Sequence, residues 1–188
     1  MVVDGRGCWV LVGEVYTLGH GSRGLGEIGD LVESVGSRVV VDVRRWPRSR
    51  RHPWASRDTL EGFLRGRGVA YIHLPALGGY RSFGRDVDPS LRALFSCFES
   101  EGFNAYAAYL ASSPAAWRGL EVIAYLAEAG ARPVVMCSER LPWRCHRKVV
   151  ADWLYARGFR VLHILDRDSI VEHRGTRCAS MLGGPSSV

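Results

Sequence analysis

The chain has 188 residues, 47% of them hydrophobic and 23% charged, which suits one soluble globular core. Its formal charge is +6, and Lys148 is the single lysine among 25 basic residues, the rest being arginine. No apolar run reaches the roughly 18 residues that a membrane helix needs, and the opening MVVDGRGCWVLVGEVY lacks the basic start and small-residue cleavage site of a signal peptide.

Residues 9–18 (WVLVGEVYTL) read as a first strand, followed by a helix carrying Leu25, Ile28, Leu31, Val32 and Val35 and stopped at Gly36. Val39 to Val43 is a continuous apolar run, as in a strand covered on both faces. Ser56 suits the cap of a helix bearing Leu60, Phe63 and Leu64, with Gly66 and Gly68 at its end. Val69 to Leu74 reads as a third strand. A helical stretch follows: Asp88-Pro89 opens a helix with Leu91, Leu94, Phe95 and Phe98, and Phe103 to Leu110 forms another. Ser113-Pro114 begins a third, ending near Gly130. Pro133 to Met136 makes a fourth strand, Pro142 stands near the start of a helix closed by Gly158, and Arg160 to Leu165 makes a fifth.

This order predicts one α/β domain over residues 1–174, with about five mostly parallel strands and helices on both faces. A helical insertion separates the third and fourth strands. Residues 80–88 read as a mobile loop and 175–188 as a flexible tail. Ligands of such sheets sit outside the carboxyl ends of the strands. Four strand ends deliver polar or glycine-rich residues to that edge: Gly19-His20, Asp42-Val43-Arg44, His73 with Leu77-Gly78-Gly79, and Cys137-Ser138-Glu139.

Cys137 is the focus of that edge. A cysteine where a strand meets a loop into a helix lies near free backbone N–H groups and the positive helix terminus, and neighbouring arginines add to a field that favours thiolate. The same donors bind oxyanions. Phosphatases and sulfurtransferases of the thiol-phosphate class share this layout, although the six residues between Cys137 and Arg144 exceed their loop. A buried small residue ending a strand is the plainer alternative for Cys137. Glu139, Arg140 and Arg144 around it weight the functional reading. Cys145 shares a helical stripe with Val149 and Trp153 and fits a core position equally well. As a metal set, Cys137, Cys145 and His146 lack the paired Cys-x-x-Cys spacing of zinc sites, so metal binding by these three is the minority reading and no cofactor is expected.

Five cysteines (Cys8, Cys97, Cys137, Cys145, Cys178) form an odd set without dense disulfide spacing, so reduced thiols and a cytoplasmic setting are expected. Residues 38–57 hold seven arginines against Asp42, which accounts for the whole charge excess. Within them, Arg45, Arg48, Arg50 and Arg51 alternate with Trp46 and Trp54, a mixture that can hold phosphates and stack on bases. A solvated loop is the plain alternative. Asp42 and Arg44 lie two residues apart, hence on one face of the strand end, and are expected to pair there and face a ligand. Gly19-His-Gly-Ser-Arg-Gly24 matches the dinucleotide fingerprint in form, between strand and helix, although His20 and Arg23 suit a pyrophosphate cradle poorly.

Together these segments resemble a known family. Thr17-Leu-Gly-His20, Val41-Asp-Val-Arg44 with Pro47 and Ser49, and Leu74-Pro-Ala-Leu-Gly-Gly79 occur in order. Phe103-Asn-Ala-Tyr-Ala-Ala-Tyr109 and Cys137-Ser-Glu-x-x-Pro142-x-x-Cys-His-Arg147 follow. The set is similar to the family catalogued as domain of unknown function 488, over roughly residues 16–165. The resemblance implies a small α/β fold. It also implies that His20, Asp42, Arg44, Gly78, Gly79, Tyr106, Cys137, Glu139, Cys145, His146 and Arg147 are characteristic positions. It carries no activity with it. Family members usually have serine where this chain has Gly21, so the resemblance makes the glycine fingerprint incidental.

The expectation from these readings is a thiol-dependent hydrolase or transferase acting on an anionic small molecule bearing phosphate or sulfur. Cys137 would be the nucleophile, with His20 or His146 moving protons and Asp42 and Glu139 orienting arginines. Arg44, Arg144 and Arg147, with Gly78 and Gly79, would hold the anion. The alternatives are a nucleic-acid binding or processing module led by residues 44–54, and a nucleotide or methyl-donor binding protein. No membrane partner is expected, and no oligomeric state is read from the sequence.

Overall fold

The structure, a computed structural model, describes residues 2–3, 9–10, 13–48 and 52–182. Among these, β1 (Val2–Val3) and β2 (Trp9–Val10) pair antiparallel as a separate ribbon. The main sheet holds β3 (Glu14–Gly19), β4 (Val39–Asp42), β5 (Ala70–His73), β6 (Val134–Cys137), β7 (Arg160–Asp166) and β8 (Ser169–Glu172). Their order is β5-β4-β6-β3-β7-β8. All neighbours run parallel except β8, which returns antiparallel along β7.

The two faces of the sheet alternate along each strand. Tyr16 and Leu18 of β3, Val40 of β4 and Met136 of β6 meet α1 (Leu25–Ser34) and α2 (Arg57–Gly66) through Ile28, Leu31, Leu60 and Leu64. Val15, Val39, Val41, Val135 and Cys137 face the other way. They pack on α3 (Glu101–Ser112), α4 (Pro114–Glu128) and α5 (Arg147–Ala156). Burial on both faces is why β4 and β6 read as unbroken apolar runs rather than alternating ones. The predicted helix stops Gly36 and Gly158 adopt φ of +68° and +87°, conformations that glycine takes without a Cβ clash.

Several expectations are corrected. The first strand of the sheet begins at Glu14, not residue 9: a Cβ on Gly13 would lie 2.5 Å from the Ala127 carbonyl oxygen, so the chain passes hard against the end of α4 there. Asp88-Pro89 opens only a 3₁₀ turn, Pro89–Ala93, with the Asp88 carboxylate accepting from the Ser90 N–H, and Leu94 is exposed. An edge strand, β8, was not foreseen, because its two-residue turn Arg167-Asp168 carries no glycine signal. Residues 175–182, read as flexible, are packed: α6 (Ala179–Leu182) buries Ala179 and Leu182, and Cys178 is bonded to Cys97. That disulfide overturns reduced thiols for two of the five cysteines. The partners stand 81 residues apart, so no spacing rule exposes the pair, yet folding brings their Cα atoms to 5.7 Å.

Asp152 of α5, fully buried, anchors the same C-terminal segment. It accepts from the Thr176 N–H and hydroxyl, both at 2.7 Å, and from His173 Nε2 at 2.9 Å. With that proton committed, His173 Nδ1 accepts from His163 Nε2 (3.0 Å), and His163 Nδ1 accepts from the Thr17 hydroxyl (2.7 Å). Burial first, then the neighbouring His173 and Arg147, hold His163 down to about 3. The segment 80–88 is likewise held, by Asp86, which accepts from the Ser82 N–H and pairs with Arg45, Arg81 and Arg85. No helix among the described residues is long and apolar enough to cross a membrane.

Candidate functional site

A cavity of about 750 Å³ opens at the carboxyl edge of the parallel strands. His20 follows β3, Arg44 follows β4, Gly79 follows β5, and Cys137 ends β6; all four line it. The sheet therefore gathers what the sequence distributes over more than a hundred residues.

Cys137 and Cys145 are both buried, and each sulfur lies 3.8 Å from Nδ1 of His146. The loop between them is drawn closed by Arg147. This side chain is turned inward rather than into the cavity, and its Nη2 donates to the carbonyls of Glu139 (2.7 Å) and Arg140 (3.3 Å). Its anion-holding role is thus corrected: it shapes the loop and supplies a fixed positive charge behind both sulfurs. The hydrogen bond from Cys145, and then the His146 and Arg147 fields, hold the Cys137 thiol well below the ordinary range, against the upward push of burial. Cys145 is pushed the other way, first by its bond to Cys137 and then by burial. The two neighbouring thiols are therefore driven apart, Cys137 toward the thiolate and Cys145 toward the thiol.

The His146 ring is wedged between Tyr106 and Gly79. Its centroid lies 5.0 Å from that of Tyr106, edge to face, and a Cβ on Gly79 would fall 2.7 Å from Nδ1. Tyr106 is locked by its hydroxyl, which donates to the Leu77 carbonyl at 2.6 Å. Gly79 is thus a close-approach residue for His146, and Gly78 plays the same part for the backbone of Arg45, where a Cβ would meet Cα at 2.7 Å. Their glycine character is explained by packing rather than by an anion.

Asp42 and Arg44 form the expected ion pair, with Nε 2.9 Å from Oδ1 and Nη2 2.5 Å from Oδ2. Tyr71 donates to the same carboxylate at 2.6 Å, and Asp42 does not itself reach the cavity. The second nitrogen of the Arg44 fork, Nη1, donates to the Ala55 carbonyl (2.8 Å) and to His20 Nε2 (3.3 Å). His20 Nδ1 bonds the Gly21 carbonyl, so the Nε2 lone pair is already taken. Burial, then Arg44, push the His20 imidazole below its ordinary value. His20 and Arg44 are therefore a finished wall of the cavity. Glu139 lines it too, yet its carboxylate accepts from the Leu141 N–H (3.4 Å) and orients no arginine; its carbonyl does that.

The other arginines of the site are on the rim, Arg45 and Arg81 among them also pairing with Asp86. Arg45, Arg48 and Arg144 line the cavity, Arg45 stacking on the exposed Trp46 at 4.7 Å. Arg50 and Arg51 lie outside the described residues. Sequence reasoning missed Arg81, which also lines the cavity: it stacks on Tyr109 at 4.0 Å, and its buried Nε has no partner among the described residues. The signal was its place just after Gly78-Gly79. Beside it Tyr80 stands exposed at φ +60°, a conformation rare for a side chain of that size.

Two further readings can be placed. Around the glycine fingerprint, a Cβ on Gly19 would fall 1.9 Å from the Glu139 carbonyl oxygen, and Arg23 Nη1 donates to the Gly19 carbonyl at 2.7 Å. Gly19 is thus a close-approach residue for the Glu139 carbonyl. Cys137, Cys145 and His146 place three potential ligand atoms within 4.8 Å of one another, near enough to share an ion. The fit stops at His146 Nε2, which is buried without a partner among the described residues, whereas a metal-bound imidazole almost always donates its second N–H.

Fold and site define an α/β protein with a buried pair of cysteines at the foot of an arginine-rimmed cavity. The family model "Domain of unknown function DUF488" matches residues 24–154, and the chain belongs to that family. No curated protein and no solved structure matches it.

Proposed function

We propose that the protein is a thiol enzyme in which Cys137 attacks an anionic small molecule bearing phosphate or sulfur. What carries this reading is the Cys137 sulfur on the cavity wall, 3.8 Å from His146 Nδ1 and within 4.8 Å of the Cys145 sulfur. Arg81 and Arg144 hold the anion, with Arg45 and Arg48 at the mouth. His146 carries the proton to the leaving group. His20, Arg44 and Asp42 keep the wall rigid. Alkylation of Cys137 by iodoacetamide across pH, mapped by peptide and controlled by Cys137→Ala, tests it. The expected apparent pKa lies well below the roughly 8.5 of a free thiol; a value at or above that figure overturns the nucleophile.

The stacked Arg45–Trp46 pair at the mouth favours a second reading, a nucleic-acid end or single strand entering the same cavity. Its binding would weaken steeply with salt and survive Cys137→Ala.

A further inference from the structure

We propose that Cys137 and Cys145 are a nucleophile and its resolving thiol, and that the substrate is an anionic disulfide reduced at the cavity floor. The inference rests on Cys137 being the nucleophile and adds the reaction class. Both cysteines line the cavity and are 4% and 3% exposed, and their sulfurs belong to a cluster of atoms no more than 4.8 Å apart. A thiolate that transfers phosphoryl or acyl groups has no use for a second thiol against its sulfur. That neighbour becomes reactive only when the bond formed on Cys137 is itself S–S.

The loop is built to produce this meeting. The 3₁₀ turn Pro142–Arg144 brings Cys145 back to the strand end, with its N–H bonded to the Pro142 carbonyl, and Arg147 draws in the carbonyls of Glu139 and Arg140. His146 stands 3.8 Å from either sulfur, so one imidazole can serve both half-reactions.

The electron pair of Cys137 Sγ attacks one sulfur of RS–SR; a Cys137–SR bond forms, the substrate S–S bond breaks, and RS⁻ leaves with the pair. Cys145 then passes its proton to His146 Nδ1, and its sulfur attacks Cys137 Sγ. The mixed disulfide breaks, and the second thiolate departs with the proton from His146. The substrate gains two electrons and yields one thiolate and one thiol, while the protein dithiol becomes a disulfide. An external dithiol, by the reverse exchange, restores it. The arginines at the mouth select disulfides that carry carboxylates.

Glutathione disulfide is the probe, with the intact protein and peptide mapping by mass spectrometry. Wild type is expected to lose two hydrogen atoms across the peptides of Cys137 and Cys145 without keeping an adduct. Cys145→Ser is expected to hold a stable glutathione adduct on Cys137, and Cys137→Ser to show neither product, each with an unchanged circular dichroism spectrum. A lasting adduct on wild-type Cys137 overturns the resolving role and leaves the nucleophile standing. So does rapid alkylation of Cys137 with no reaction toward the disulfide. Failure of both reactions in a folded chain overturns both readings. Zinc retained through dialysis, with both thiols shielded from alkylation until a chelator is added, also overturns the pair.

Discussion

Replacing Asp42 by asparagine keeps the outline of the side chain and removes the charge that Arg44 faces. The carboxylate is fully buried and receives four donors: the Arg44 N–H at 2.9 Å, Nε at 2.9 Å, Nη2 at 2.5 Å and the Tyr71 hydroxyl at 2.6 Å. Asparagine offers one oxygen, and its amide group turns donors toward the partners of the other. An uncompensated guanidinium is then left in a wall that is nearly dry, since Arg44 is 6% exposed. Breaking a buried pair in this way costs about 3–5 kcal/mol. For a chain of this size each kcal/mol lowers Tm by about 2–4 °C, so a fall of about 6–20 °C is expected in calorimetric unfolding. The double variant Asp42→Asn with Arg44→Met removes both charges and should regain part of the loss. A fall of less than about 3 °C in the single variant, or a double variant whose losses simply add, would refute the reasoning.

Two other predictions concern groups outside that pair. The folded chain keeps His163 neutral down to about 3, whereas an ordinary imidazole titrates at 6.5. Between those values the unfolded chain binds one more proton, so stability is full above 6.5 and declines as pH falls through the window, by at most about 1.4 kcal/mol per pH unit. Urea midpoints at about pH 7 and about pH 4.5 should show His163→Gln losing less than wild type; equal losses would contradict the assignment. Gly79→Ala places a methyl group 2.7 Å from His146 Nδ1, so the ring must retreat. The expected result is a raised apparent pKa of Cys137 on alkylation, at a stability cost of about 1–3 kcal/mol; an unchanged alkylation profile would show that His146 contributes nothing at Cys137.

The parts of this molecule that the sequence exposes are those governed by local rules. β4 and β6 announce themselves as apolar runs because both their faces are covered, and a parallel sheet then dictates which ends carry polar residues. His20, Arg44 and Cys137 fall out of that reasoning with no coordinates. What escaped depends on contacts between distant segments. Arg81 sits in a loop whose form is set by Asp86 and the Tyr109 ring, neither of which announces itself in the sequence. Arg147 looked like an anion ligand from its position in the motif, and only the folded loop shows its nitrogen donating to the carbonyls of Glu139 and Arg140. Cys145 was set against Val149 and Trp153 on a helical stripe. It does lie buried in the same core as Val149 and Trp153, as that stripe implies; the stripe does not tell that its sulfur also comes within 4.8 Å of that of Cys137.

The Cys97–Cys178 bridge has a topological consequence. Cys97 comes just before the cavity-wall residues Ser100, Gly102 and Phe103, and Cys178 leads into α6, which packs on the helix after His146. While it is closed, the 81-residue separation it spans becomes a ring that includes one wall of the cavity, the floor cysteine and the helix behind it. A protease cutting one peptide bond within that ring leaves the two pieces still joined. The enclosure around Cys137 thus outlasts a break in the chain that forms it, for as long as the surroundings keep the bridge oxidised.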